Sequence, residues 1–222
     1  MQGVFVTGTG TEVGKTVVAA VIAHSLAVAG RRVAVFKPAV TGLDQPGEAD
    51  HALLSRAAGS AQSDDEIAPY RYGPAASPHL AASLAGEEIE PRVLLDGARD
   101  AAAGADLLVC EGVGGLLVPL APSYLVRDFA VDLGLPLVIV ASPGLGTINH
   151  TLLTIEGARS AQLEVASVVL TPWPQEPSQI EQSNRETIEA MGGIKVETLT
   201  ELDLEDEGEW SVDWRLIRDI DG

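Results

Sequence analysis

Thr7-Gly8-Thr9-Gly10-Thr11-Glu12-Val13-Gly14-Lys15-Thr16 follows the apolar run Gly3-Val4-Phe5-Val6 and leads directly into Val17-Val18-Ala19-Ala20. An apolar run that passes through a glycine-rich loop into a helix-forming stretch reads as strand, loop and helix. Glycines in such a loop let backbone N–H groups converge on phosphate oxygens, and the helix start adds the positive end of its dipole. Lys15 is placed to reach terminal phosphates, and the Thr16 hydroxyl to ligate Mg²⁺. The loop is one residue longer than the usual phosphate loop, because Thr9 stands where that pattern begins and Gly8 precedes it. The added residue implies that Thr11 and Glu12 face a second substrate as well as a nucleotide. The bland alternative, a glycine-rich turn with an incidental lysine, is disfavoured by the strand–loop–helix context.

Outward from the loop, short apolar runs alternate with amphipathic stretches. Strands are expected at Gly3–Thr7, Arg32–Phe36, Asp106–Cys110, Pro136–Ala141, Ala166–Leu170 and Ile194–Leu199. Their runs are mostly continuous rather than alternating, as in parallel strands covered on both faces. Helices are expected at Lys15–Ala29, Ala49–Ala58, Pro91–Ala103, Val126–Leu133, Asn149–Ser160 and Pro177–Met191, with Gly30 as a stop. The pattern predicts one α/β domain over residues 1–222, a doubly wound, mostly parallel sheet with helices on both faces. The turn-rich stretch Gln45 to Leu84 is expected to be an active-site insertion or interface loop.

The chain of 222 residues carries 14 Lys+Arg against 32 Asp+Glu, a net charge of −18, which disfavours broad binding to nucleic acid or anionic membranes. Glu197 to Gly222 holds ten acids against Arg215 and Arg218, −8 of that total, so a solvated, flexible acidic segment is expected from about residue 200. The single cysteine, Cys110, excludes an internal disulfide and suits a reducing compartment. With no basic leader at Met1 and no apolar run near the ~18 residues of a membrane span, the expected location is cytoplasmic.

Leu107-Leu108-Val109-Cys110-Glu111-Gly112-Val113-Gly114-Gly115 reads as a strand ending in an acid and a glycine turn, at the sheet edge where ligands of α/β folds bind. Glu111 there needs a cation, Mg²⁺ or a lysine, since burying it unpaired is costly. A capping or salt-bridged Glu is the structural alternative. Lys37 and Pro38 end the second strand, bringing a second ammonium to the edge that holds Lys15 and suiting a strongly anionic transition state. Cys110 reads as a buried small hydrophobe. His24, His51, His79 and His150 lack ligand spacing, and Trp173, Trp210 and Trp214 read as packing or tail residues, Trp173 standing where it can approach a nucleotide.

Together and in order, Gly8 to Thr16, Lys37-Pro38-Ala39-Val40-Thr41-Gly42, Glu111 to Gly115 and Leu145-Gly146-Thr147-Ile148-Asn149-His150 resemble the dethiobiotin synthetase family, over roughly residues 3 to 192. The resemblance implies an ATP- and Mg²⁺-dependent ligation of CO₂ (or bicarbonate) to 7,8-diaminopelargonic acid, through a carbamate and a carbamic-phosphoric anhydride, the penultimate step of biotin synthesis. It implies that Lys15 and Lys37 stabilise the carbamate and the transferring phosphoryl group, that Thr11 and Gly114 position the carbamate, and that Thr41 contacts the reacting centre. Nucleotide contacts would come from Gly10, Thr11, Glu12, Val13, Gly14, Lys15, Thr16 and Val17, with Thr171 and Pro172. Thr16, Asp50 and Glu111 would hold Mg²⁺, Glu48 being the neighbouring alternative to Asp50. Leu145, Gly146, Thr147, Ile148 and Asn149 resemble the segment that receives the substrate carboxylate across a homodimer interface. Thr147 could equally serve as a simple N-cap, and both readings can hold together.

Two other classes share such a fold: a partitioning-type nucleotide-switch ATPase, and a catalytically silent nucleotide-binding module. The first places a signature lysine early in the loop, whereas no residue between Thr7 and Gly14 is a lysine. The second does not need Lys37, Asp50 and Glu111 to converge. After the fifth strand the resembled family often presents an asparagine to adenine; here Leu170-Thr171-Pro172-Trp173-Pro174 has none, and the two prolines lack a donor. A site without base-edge partners discriminates weakly. CTP, GTP and UTP are therefore expected to support turnover within about tenfold of ATP, roughly 1.4 kcal/mol, in kcat/KM. An ATP preference above ~10³-fold would refute this.

Overall fold

Six of the apolar runs become strands of a single parallel sheet because each has a helix layer on both sides. The computed structural model describes residues 1–212 and 214. In chain order the elements are β1 (Gly3–Gly8), α1 (Lys15–Val28), β2 (Val33–Phe36), α2 (Asp50–Ala58), α3 (Asp64–Ile67), α4 (Pro78–Leu84), α5 (Pro91–Ala103), β3 (Leu107–Gly115), β4 (Pro119–Ala121), β5 (Tyr124–Leu125), α6 (Val126–Leu133), β6 (Leu137–Ala141), α7 (Thr147–Ser160), β7 (Val165–Trp173), α8 (Gln179–Gly192) and β8 (Val196–Thr200). The sheet order is β2-β3-β1-β6-β7-β8, all parallel, with β4 and β5 forming a separate antiparallel hairpin.

Alternation along each strand splits the core in two. Val4, Val6, Val35, Val109 and Val138 pack with Val18, Ile22 and Leu54 of α1 and α2 on one face. Phe5, Phe36, Cys110 and Ile139 pack with Leu94, Phe129 and Ile155 of α5, α6 and α7 on the other. Phe129 anchors that side, edge-on to Phe5 at 5.9 Å between ring centroids and tilted against Phe36 at 6.1 Å. Both faces being covered explains why the strands read as unbroken apolar runs. Among the described residues no helix is long and apolar enough to cross a membrane.

Two expectations are corrected. Glu111 does not precede a glycine turn: β3 runs on to Gly115, and Val6 pairs with Glu111 and Gly8 with Gly115 across an irregularity in the ladder. The stretch from Gln45 to Leu84 is more regular than its glycines and prolines suggest, since α3 begins at a Ser63–Glu66 capping box and α4 at Pro78. A bridge between Val40 and Arg71 ties its flank to the chain after Lys37. Trp210 and Trp214 are buried against the α1 side, while Glu201, Asp203, Glu205, Asp206 and Glu207 around them stay exposed. The rest of the expected acidic segment, residues 213 and 215–222, lies outside the described residues.

β2 lies at the margin of the sheet, and there the Gln62 side chain receives a hydrogen bond from Val35 N–H (2.9 Å) and donates one to Val35 C=O (3.0 Å). Truncating Phe129, fully buried and touching both other core phenylalanines, is expected to cost about 3–5 kcal/mol. A shift of the urea unfolding midpoint for Phe129→Ala equivalent to under ~1 kcal/mol would contradict this packing role.

Candidate active site

Parallel strands present their carboxyl ends at one edge, so the chain brings the residues after β1, β2, β3 and β6 to a common place. The loop after β1 keeps its shape through backbone geometry. Gly14 has φ of 89°, and a Cβ there would meet the Thr171 side chain at 2.7 Å, so glycine is required and Thr171 lies against the loop. Glu12 adopts φ of 59° without being glycine, a left-handed conformation costing roughly 1 kcal/mol. Thr9 N–H donates to Val140 C=O (2.9 Å), fastening the loop to β6, and Lys15 Nζ donates to Gly10 C=O (2.8 Å).

Lys37 is the centre of the charged group. Delivered by the end of β2, it is buried (2% exposed), with Nζ 2.7 Å from Glu111 Oε1 and 2.9 Å from Asp50 Oδ2. Thr16 Oγ1, at the start of α1, lies 3.0 Å from both Asp50 Oδ1 and Glu111 Oε1. Two carboxylates thus meet at one threonine hydroxyl, with the Lys37 ammonium on both and the Lys15 ammonium near enough to feel all three charges. Burial opposes a charged Lys37, but Glu111 and Asp50 outweigh it and hold the amine above its ordinary range. Lys15, by contrast, is lowered, by burial first and by Lys37 as well. Burial likewise works to raise Asp50, yet Lys37, Thr16 and Lys15 keep its carboxyl below the usual range. Glu111 is fully buried and pushed up by that burial, against the pull of Lys37. Its Oε2 has no hydrogen-bond partner.

Such an orphaned carboxylate oxygen beside a hydroxyl and a second carboxylate is a set of hard oxygen donors, which fits Mg²⁺. Glu48, the alternative to Asp50, is turned to Arg56 instead (2.7 Å). Thr41 shares with Glu48 and Asp50 the wall of a cavity of about 230 Å³. Gly114, at φ of 62°, faces the loop: a Cβ there would lie 3.7 Å from Thr11 Oγ1, so these two residues are brought together. Gly10, Thr11, Glu12, Val13, Gly14 and Thr16 form the loop and first helical turn with Val17, and Pro172 follows Thr171 at its flank.

Leu145, Gly146, Thr147, Ile148 and Asn149 occupy the loop after β6 and the first turn of α7. Leu145 is 98% exposed. Thr147 does not cap with its side chain; its hydroxyl is buried against Thr151 Oγ1 (3.4 Å), and Gly146 is the N-cap. The loop is held by a residue the motifs do not include: Asn184 of α8 donates to the carbonyls of Pro143 (2.9 Å) and Gly144 (3.1 Å). Its signal in the sequence is an amide on the buried stripe Asn184, Ile188, Gly192 at helical spacing.

Comparison with known proteins agrees with this arrangement. A family model described as an AAA domain matches residues 2–207. The ATP-dependent dethiobiotin synthetase BioD of Rhodococcus erythropolis is 42% identical over 194 residues, covering 85% of this chain and 83% of that protein. The protein of the same name from Bacillus subtilis is 36% identical over 197 residues, covering 88% and 85%. Among solved structures, a ParA family ATPase from Chlorobium tepidum aligns with a TM-score of 0.56 at 15% identity over 95% of this chain and 89% of that one. The cell division ATPase MinD of Pyrococcus furiosus aligns at 0.53 and 16%, over 88% and 81%. The two ATPases show a shared α/β fold and nothing finer, whereas the likeness to the synthetases is one of sequence along most of both chains. The chain is an enzyme and belongs to the ATP-dependent dethiobiotin synthetase family.

Proposed function

We propose that this chain closes the ureido ring of dethiobiotin from 7,8-diaminopelargonic acid, CO₂ and ATP, as its relatives' name indicates, with the Lys15–Lys37 pair at the reacting centre. The observation that supports this most is the buried Lys37 ammonium held between Asp50 and Glu111 at the mouth of the phosphate loop.

One substrate amine attacks CO₂, forms the N–C bond and loses a proton, giving a carbamate anion. Thr11 and Gly114, which face each other, would orient it beside the loop. A carbamate oxygen then attacks the γ-phosphorus in line as the bond to the leaving diphosphate breaks. Most of the help available to such a transfer is positioning and charge neutralisation. Lys15 and Lys37 supply the charge, with the backbone N–H groups of Gly10 to Thr16 and Val17 holding the phosphates. The second amine finally attacks the carbonyl carbon and expels phosphate, closing the ring. Thr41, on the cavity wall beside Asp50, would contact the reacting amines. Thr16, Asp50 and Glu111 would hold Mg²⁺, which would supply positive charge to offset that of the phosphates.

Exposed Leu145 and Leu153, on the loop before α7 and on α7 itself, support a homodimer in which residues Leu145 to Asn149 receive the substrate carboxylate of the neighbouring copy. We further propose that residues 1–222 act as one domain in the cytoplasm, away from nucleic acid and membrane. Thr171 and Pro172 would flank the nucleotide.

Lys15→Ala and Lys37→Ala are each expected to lower turnover by at least ~10²-fold while circular dichroism stays unchanged, because each removes a charge aimed at the transferring group. Near-normal cyclic-urea formation by Lys37→Ala would sink the two-lysine centre. Glu111→Gln keeps the shape and loses the ligand charge, so the Mg²⁺ concentration for half-maximal rate should rise more than the KM for diamine. An unchanged Mg²⁺ titration would remove Glu111 from the ligand set.

A further inference from the structure

Asp50 performs its part from an unsupported position. It is the first residue of α2, and the N-cap before it is Ala49, which offers no side-chain cap. Yet both its oxygens must be held, Oδ1 toward Thr16 and Oδ2 toward Lys37. Two residues earlier stands Glu48, a second carboxylate bordering the same cavity.

What fixes this segment is Arg56, one and a half turns along α2. Its Nε (3.3 Å) and Nη2 (2.7 Å) donate to the two carboxylate oxygens of Glu48, a fork-to-fork pair. Its Nη1 donates to Leu204 C=O (3.0 Å) and reaches Glu207 (3.4 Å), and the guanidinium lies 4.7 Å from the centre of the Trp210 ring. Trp210 is itself immobilised: fully buried, edge-on to His24 at 5.7 Å, its indole N–H on Asp203 C=O (3.1 Å). Beyond it, Val212 N–H donates to Ser25 Oγ of α1 (3.1 Å). The acidic segment after β8 is thus strapped across α1 and α2, and Arg56 is the buckle.

We propose that Arg56 is a positioning residue for the metal side of the site: it withdraws Glu48 and, locked by the C-terminal strap, stakes the uncapped start of α2 so that Asp50 alone is presented to Thr16 and Lys37. The inference rests on the reading of Asp50 as a Mg²⁺ ligand. A lysine at position 56 keeps the charge and loses the fork and the flat face over Trp210.

The test uses the full chain with Mn²⁺ as the probe, titrated by its paramagnetic resonance signal in the presence of a non-hydrolysable ATP analogue, alongside amide hydrogen exchange of the protein alone. Arg56→Ala is expected to weaken Mn²⁺ binding about tenfold, as loss of a partner that orients a ligand does. It should also speed exchange across residues 46–54 while β1 and β3 stay protected. Arg56→Lys, the milder change, should move both in the same direction. Glu48→Gln should weaken Mn²⁺ binding less than Asp50→Asn. Glu48→Gln matching Asp50→Asn would overturn the proposal by making Glu48 the ligand. So would unaltered exchange at 46–54 in Arg56→Ala and Arg56→Lys while Asp50→Asn still loses Mn²⁺, leaving the ligand reading intact. Unchanged Mn²⁺ binding in Asp50→Asn would instead overturn the ligand reading and this one with it.

Discussion

A lysine and a glutamate buried in contact, Lys37 and Glu111, are the constraint around which the rest is arranged. Removing two charges from water costs several kcal/mol per ion, and attraction between them recovers this only with good geometry and further polar partners. Here those partners are Asp50, the Thr16 hydroxyl and the Gly112 carbonyl. As a device for stability such a group is poor. As a preorganised electrostatic environment it is well suited, since the charges stand fixed before any substrate arrives and need no rearrangement during reaction. The parallel sheet makes the group possible by ending β1 and β2 near each other across β3.

The glycines of the site serve the same end by a different route. Gly14 lets the start of α1 come against Thr171, and Gly114 lets the end of β3 come against Val118, beside Thr11. In both places the backbone takes a left-handed turn that a side chain would resist. Glu12 accepts the same strain without the exemption.

The phosphate loop, the parallel sheet and the two lysines were legible in the sequence because each depends on neighbours in the chain: a strand, then a turn, then a helix. Lys37 and Glu111 could be placed at the binding edge simply by following apolar runs to their ends. That Asp50 faces Thr16 and Lys37 while Glu48 faces Arg56, eight residues on, could not be seen that way, since these partners lie outside the local pattern. For the same reason the anchoring of the acidic end was out of reach: composition registers its charge, while two tryptophans that join the α1 side of the core hold it. The extension of β3 through Gly112, Gly114 and Gly115 was hidden by residues that elsewhere mark turns. Asn184 was legible only as an oddity, a polar amide among apolar helix positions, with its partners on a distant loop.

The side chain of Gln62 at the margin of β2 bears on a different property, the fate of the protein when concentrated. A strand with free N–H and C=O groups along one side is a growth point onto which further chains can add, the starting geometry of fibrils and insoluble aggregates. By meeting both groups of Val35, Gln62 imitates one residue of a neighbouring strand and then ends, because a side chain has no next residue to offer. The β2 side of the sheet is thereby given a terminator, one that acts by hydrogen bonding and so is independent of the protein's net charge.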